Sequence, residues 1–144
     1  ERERRTERVR VRVWLCLHVY VSLYRGAPFD TQSPASFSPF VLFQVCGVPA
    51  DQRTETTHVV EADGFHPRWD STFTFPIQAP EHALVSLTVW DKDVGKVGDF
   101  IAAAVLPVSG LRPGFRKVQL GNISGSKGAD HEFCSLFVFV LMDT

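Results

Sequence analysis

The sequence predicts an all-β chain, an antiparallel sandwich of about eight strands. Period-2 alternation of apolar and polar residues recurs along the chain, the mark of a half-buried strand. Gly, Pro, Asp and Ser clusters interrupt it at short intervals, where turn chemistry is needed. Apolar residues at helical spacing are almost absent.

The elements follow in order. In 9–24, Val9, Val11, Val13, Leu15, Leu17, Val19, Val21 and Leu23 alternate with Arg10, Arg12, Trp14, Cys16, His18, Tyr20, Ser22 and Tyr24, giving one unusually long strand. A Pro- and Ser-rich loop fills 26–39. Strands are expected at 40–48, closed by Gly47 and Pro49, and at the β-branched stretch 54–61. Residues 62–70 read as a corner, where Gly64 admits positive φ, Pro67 fixes a bend and Trp69 seals the sandwich edge. Phe73, Phe75 and Ile77 share one strand face, and Val85, Leu87 and Val89 share one face of 83–90. Residues 91–99 are a polar loop. Strands at 100–107 and 115–120 flank the turn Gly110-Leu111-Arg112-Pro113-Gly114, a Gly- and Ser-rich loop spans 121–130, and 132–142 is the last strand. Residues 13–24 and 133–142 are apolar on both faces, which predicts burial on both sides.

Composition narrows the function. The 144 residues suit one domain, and the net charge of −1 gives no field that draws the chain to nucleic acid. The charge is uneven: residues 1–13 hold six arginines against three glutamates, and the body is mildly acidic. Cys16, Cys46 and Cys134 are odd in number and widely spaced, neither a disulfide framework nor a zinc site, which fits a reducing compartment. Asn122-Ile123-Ser124 is a formal glycosylation sequon, the one feature besides the signal-like start that points to a secreted sandwich. The apolar stretch 13–24 is shorter than the roughly 20 residues of a membrane span. Metalloprotease, nucleophile-elbow, P-loop and dinucleotide signatures are missing, so no catalysis is expected from this chain alone.

The chemistry concentrates in Trp90-Asp91-Lys92-Asp93-Val94-Gly95-Lys96-Val97-Gly98-Asp99-Phe100. Asp91 and Asp93 stand where one strand runs out and Asp99 where the next begins, so the loop brings three carboxylates together. Grouped anions repel, and each loses hydration on burial. A hard cation relieves both, and Ca²⁺ accepts six to eight oxygen ligands. Asp63 or Asp70 in the preceding corner would complete the shell. Asp and Gly also favour turns for their own sake, and spacing alone leaves both readings open.

Several segments carry a family resemblance in their order along the chain: Gly47-Val48-Pro49-Ala50-Asp51, Gly64-Phe65-His66-Pro67-Arg68-Trp69-Asp70, Thr72-Phe73-Thr74-Phe75, Ala83-Leu84-Val85, Asp91-Lys92-Asp93, Asp99-Phe100-Ile101-Ala102 and 111–120. Together they resemble the C-terminal C2 domain of eukaryotic phosphoinositide-specific phospholipase C, nearest to the delta-like and plant-type enzymes. The resemblance implies a C2-type eight-stranded sandwich over 38–144, with Ca²⁺ and lipid sites in three loops at one end. It places Asp91, Asp93 and Asp99 on the acidic positions of the third loop and Asp63 beside the second. Ser38 stands before Pro39 where the family has Asp, and Ala62 stands where it often has Asn, so part of the ligand set is missing.

The resemblance also implies a role. The parent enzyme, a phosphoric diester hydrolase of intracellular signalling, would split phosphatidylinositol 4,5-bisphosphate into diacylglycerol and inositol trisphosphate in a catalytic barrel outside this chain. The module itself would be cytoplasmic and peripheral at the plasma membrane. Ca²⁺ on the aspartates would bridge to anionic phospholipid while Lys92, Val94, Lys96 and Val97 touch the headgroups. The alternative is a Ca²⁺-independent module that packs against the catalytic domain of the same enzyme. Residues 1–37 do not follow the family pattern. They are expected to be an atypical segment of misjoined or repeat origin, with 9–24 in the first-strand slot.

Overall fold

The computed structural model describes residues 9–15, 38–61, 67–92, 98–122 and 134–143, with 9–15 as backbone only. Its strands are β1 (Val9–Leu15), β2 (Pro39–Cys46), β3 (Arg53–Thr56), β4 (Ser71–Ile77), β5 (Leu84–Asp91), β6 (Asp99–Pro107), β7 (Gly114–Gln119) and β8 (Ser135–Asp143). They form two four-stranded antiparallel sheets, ordered β4-β1-β8-β7 and β3-β2-β5-β6. The fold is the all-β sandwich that the alternation predicts.

The core lies between the sheets. Val41, Phe43 and Val45 of β2 and Val85, Leu87 and Val89 of β5 face Phe75 and Ile77 of β4, Val118 of β7 and Leu136, Val138 and Val140 of β8, all buried. Phe43 stacks on Phe75 across the gap, with centroids 4.6 Å apart and planes 6° from parallel. Each such side chain contributes roughly 1.5–3 kcal/mol by leaving water.

Three expectations need correction, and the long first strand is covered only in part. The expected strand 54–61 is only Arg53–Thr56. Thr57 ends it by turning inward: its hydroxyl accepts the Val41 N–H at 2.9 Å and donates to the His58 carbonyl at 3.0 Å. Such side-chain bonds compete with the sheet ladder. The first strand is described only as far as Leu15, paired between β4 and β8; residues 16–24 lie outside the described residues. Trp69 is fully buried rather than an edge seal. Its Nε1–H donates to the Pro39 carbonyl at 3.2 Å and so ties the approach to β4 to the start of β2 in the other sheet.

Finally, β8 is not buried on both faces. Phe137 and Leu141 are exposed, and Phe115 of β7 stacks on Phe137 at 5.3 Å and leans on Phe139 at 4.7 Å. The outer face of this sheet therefore carries an aromatic cluster in water.

Candidate functional site

The site is built where three strands of one sheet end together. β5 stops at Asp91, β6 starts at Asp99, and the two are directly opposed in register. Pro39, which opens β2, pairs with Asp91 from the other side. The expected meeting of Asp91 and Asp99 is thus present in the sheet register.

Asp91 continues the inward face of Val85, Leu87 and Val89, so it is buried, whereas Asp99 is exposed. Its Oδ1 accepts the Ser38 N–H at 2.7 Å, and the Ser38 carbonyl accepts the Lys92 N–H at 3.0 Å. Ser38 is therefore a backbone partner of the carboxylate. Opposed like charges on one sheet face destabilise a strand pair, and burial of Asp91 adds desolvation. A charge-assisted bond from Ser38 counters part of that cost.

Gly98 makes the approach possible. A Cβ there would collide with the Asp91 carbonyl oxygen, so no other residue fits this backbone. One step inward the register shifts between Val89 and Trp90: Val89 faces Ala102 and Trp90 faces Phe100, leaving Ile101 as an extra residue. Bulges of this kind re-aim a strand end. Trp90 meets Phe100 edge-on at 5.8 Å, one step along the strands from the paired aspartates. Sequence reasoning passed over Gly98 and the bulge; a Gly directly before Asp99 was the available signal.

The remaining expected residues divide plainly. Lys92 is exposed at the tip of β5. Asp70 is exposed, 3.9 Å from the Arg68 guanidinium, with φ of 25° at the corner before β4. Asp63, Asp93, Val94, Lys96 and Val97 lie outside the described residues, as does Ala62. Among the described residues no group of three or more His, Cys, Asp or Glu side chains is gathered. The oxygen-only character of Asp91 and Asp99 fits a hard cation, and they supply two carboxylates of the six to eight ligands that Ca²⁺ takes.

A second buried aspartate is Asp51, the last residue of Gly47-Val48-Pro49-Ala50-Asp51. It ends the 3₁₀ turn Pro49–Asp51 at the opposite end of β2, fully buried. Its two oxygens accept the N–H groups of Gln78 and Ala79 at 2.7 and 2.9 Å.

The C2 domain family profile matches residues 16–122. The chain is 37% identical over 111 residues to phosphoinositide phospholipase C 6 of Arabidopsis thaliana, covering 77% of this chain and 18% of that protein. It is 43% identical over 107 residues to 1-phosphatidylinositol 4,5-bisphosphate phosphodiesterase gamma plc-3 of Caenorhabditis elegans, covering 73% of this chain and 8% of that protein. The crystal structure of PLC21 from S. officinalis superposes with a TM-score of 0.72 at 22% identity, over 99% of this chain and 16% of that one. The chain therefore spans less than a fifth of the curated relatives it matches.

Proposed function

Since this chain belongs to the C2 domain family, we propose that it is the membrane-attachment module of a phosphoinositide phospholipase C. Identity of 37% and 43% to two such enzymes supports the parent, whose substrate would be phosphatidylinositol 4,5-bisphosphate. The module would sit peripherally on the cytoplasmic face of the plasma membrane.

One observation carries the mechanism: two aspartates, Asp91 and Asp99, directly opposed at one end of a sheet. Such a pair suits Ca²⁺, which would be held by these two together with Asp93 and Asp63. The bound ion would cancel the local negative charge and supply a positive site for anionic phospholipid. Lys92, exposed beside the pair, contributes about 1 kcal/mol at an anionic surface. Val94, Lys96 and Val97 would meet the headgroups from the same loop.

Liposome sedimentation with and without Ca²⁺ tests this reading. Binding to vesicles containing phosphatidylserine is expected to rise with Ca²⁺ and to lose that rise in Asp91→Asn and Asp99→Asn. Equal sedimentation under every condition would sink the calcium bridge.

A second reading is a Ca²⁺-independent module that packs on the catalytic domain of the same enzyme. The exposed cluster of Phe115, Phe137 and Leu141 favours it, because contiguous apolar patches mark interaction surfaces. So does Ser38, whose N–H already serves the Asp91 carboxylate. Calorimetric titration with Ca²⁺ separates the two, since the packing module gives no heat of binding.

A further inference from the structure

The two sheets leave two outer faces, and their chemistry differs. In the register of β3, β2, β5 and β6 the outward rows carry no charged residue; they are built from pairs such as Phe40 with Trp90, Leu42 with Thr88 and Leu84 with Pro107. The outward rows of the other sheet set Arg10 opposite Asp143, Arg12 opposite Leu141, Trp14 opposite Phe139 and Lys117 opposite Phe137. Directly opposed residues share a face, and this one is turned away from buried Val138 and Val140. Along it β4 adds only Thr72, Thr74 and Pro76. Three cations against one acid make the face net positive, in a chain whose total charge is −1.

On the same face large apolar groups stand in water. Phe115 is 54% exposed, Leu141 42% and Phe137 36%. The rings of Phe115 and Phe137 lie with planes 5° apart, and Phe139 closes the cluster. Phenylalanine has no polar atom to satisfy, so only an apolar surrounding recovers the cost of leaving these rings in water. Lys117 is exposed, one strand across from Phe137. At that spacing its stem reaches along the rings while its ammonium stays in a polar layer. Apolar rings that enter, flanked by cations that stay at the level of phosphate, mark a surface lying in a bilayer interface. A protein partner fits less well, because interface cores are depleted of lysine and the neutral face of the other sheet suits one better.

The face also adjoins the aspartate end. Leu15 pairs with Ser71 and Trp14 with Phe139, and the Trp69 bond to Pro39 holds the approach to β4 beside the start of β2, where Pro39 pairs with Asp91. Hence β8 begins at the end of the sandwich that carries Asp91, and Phe137 lies two residues, about 7 Å, in from Ser135. A bilayer met by the loops at that end continues onto this face when the sandwich tilts. We propose that the outer face of the β4-β1-β8-β7 sheet is a Ca²⁺-independent contact for an anionic phospholipid bilayer. Phe115, Phe137 and Leu141 enter the headgroup layer, and Lys117, Arg12 and Arg10 supply the charge that attracts phosphate. This contact rests on the membrane-attachment reading but uses neither Asp91 nor Asp99.

Sedimentation of the full chain in EGTA with vesicles of phosphatidylcholine and phosphatidylserine tests the contact. Binding is expected, and it should weaken at high salt and in vesicles without phosphatidylserine. Residues 1–13 hold further arginines, so the loss in variants of the face is the readout. Lys117→Gln should weaken binding about fivefold, the effect of one charge at an anionic surface. Phe115→Ser with Phe137→Ser should weaken it about tenfold or more, with far-UV circular dichroism confirming the fold. Should that double variant misfold, Lys117→Gln, at an exposed position, decides alone. Arg53→Gln removes an exposed cation from β3 of the other sheet and should leave binding within about twofold. Binding in EGTA that needs Lys117 and the two rings, with no further rise in Ca²⁺, keeps this face and removes the calcium bridge. A Ca²⁺-dependent rise without binding in EGTA, parent-like binding by the face variants, or an equal loss in Arg53→Gln overturns this face and leaves the bridge. No sedimentation in either condition overturns both.

Discussion

Asp51 and Asp91 are both buried aspartates at the ends of the same sheet, and they are used differently. Asp51 receives two consecutive N–H groups, from Gln78 and Ala79, after β4 in the other sheet. It clamps the two sheets together where the chain turns tightly. Asp91 receives the Ser38 N–H and faces a second aspartate across a strand pair. One carboxylate closes a structural corner. The other stands beside like charge at the mouth of loops, which is the less stable arrangement and the one a cation or a lipid surface can act on. Burial alone does not mark a functional acid; what faces it does.

Removing the two carboxylates separates these roles most strongly. Asp51→Ala leaves two N–H groups without their charged acceptor, each such bond being worth about 1.5–3 kcal/mol. Relief of the buried charge returns some of this, so a loss of about 3 kcal/mol is expected in urea unfolding, a large part of a typical domain's stability. Asp91→Ala should lose about half as much, because it also removes repulsion with Asp99. Equal losses at the two positions would mean that the ends are equivalent and that the contrast is false.

Gly98→Ala should have a smaller effect, confined to the Asp91 end. The new methyl meets the Asp91 carbonyl oxygen, and the strand ends must separate to admit it. A cost of about 1–3 kcal/mol is expected, as for other overpacked sites. Amide hydrogen exchange should quicken at Lys92, whose N–H bonds the Ser38 carbonyl, and stay unchanged at Gln78 and Ala79. Faster exchange at both ends would show that they are mechanically coupled.

The fold was legible because its strands alternate faithfully. In β4, Phe75 and Ile77 are buried and Thr72, Thr74 and Pro76 are exposed, as a period of two dictates. Legibility failed where a side chain overrode the pattern. Thr57 reads as a β-branched strand residue, yet its hydroxyl takes a backbone N–H and stops β3. It failed again in β8, where apolar residues on both faces suggested double burial, and sequence does not say that one face of a sheet lacks a covering layer. The Asp91–Asp99 pairing was legible because strand ends flanking one loop must meet. The backbone role of Ser38 and the bulge at Ile101 depend on register across strands, which no local spacing encodes.

The two described cysteines report on the two ends with the smallest expected effect. Cys46 is exposed at the end of β2 near Asp51, and Cys134 is buried just before β8, where its carbonyl accepts the Leu120 N–H at 2.9 Å. Burial pushes the Cys134 thiol up from 9.0 to about 12. Above pH 9 the unfolded chain therefore releases this proton while the folded chain keeps it, and stability must fall as pH rises. Stability that is intact below pH 9 drains away as the pH climbs toward about 12. The slope is at most about 1.4 kcal/mol per pH unit. Urea unfolding from pH 8 to 10.5 should show this fall in the parent and a shallower one in Cys134→Ala, the difference cancelling other groups that titrate in the same range. Under native conditions at pH 8, iodoacetamide should modify Cys46 quickly and Cys134 only through opening of the sandwich. Gly98→Ala should speed Cys134 if its loosening spreads from the Asp91 end into β8, and Asp51→Ala should speed it only in proportion to the global stability lost. Identical pH slopes in parent and variant would remove Cys134 from the pH dependence altogether.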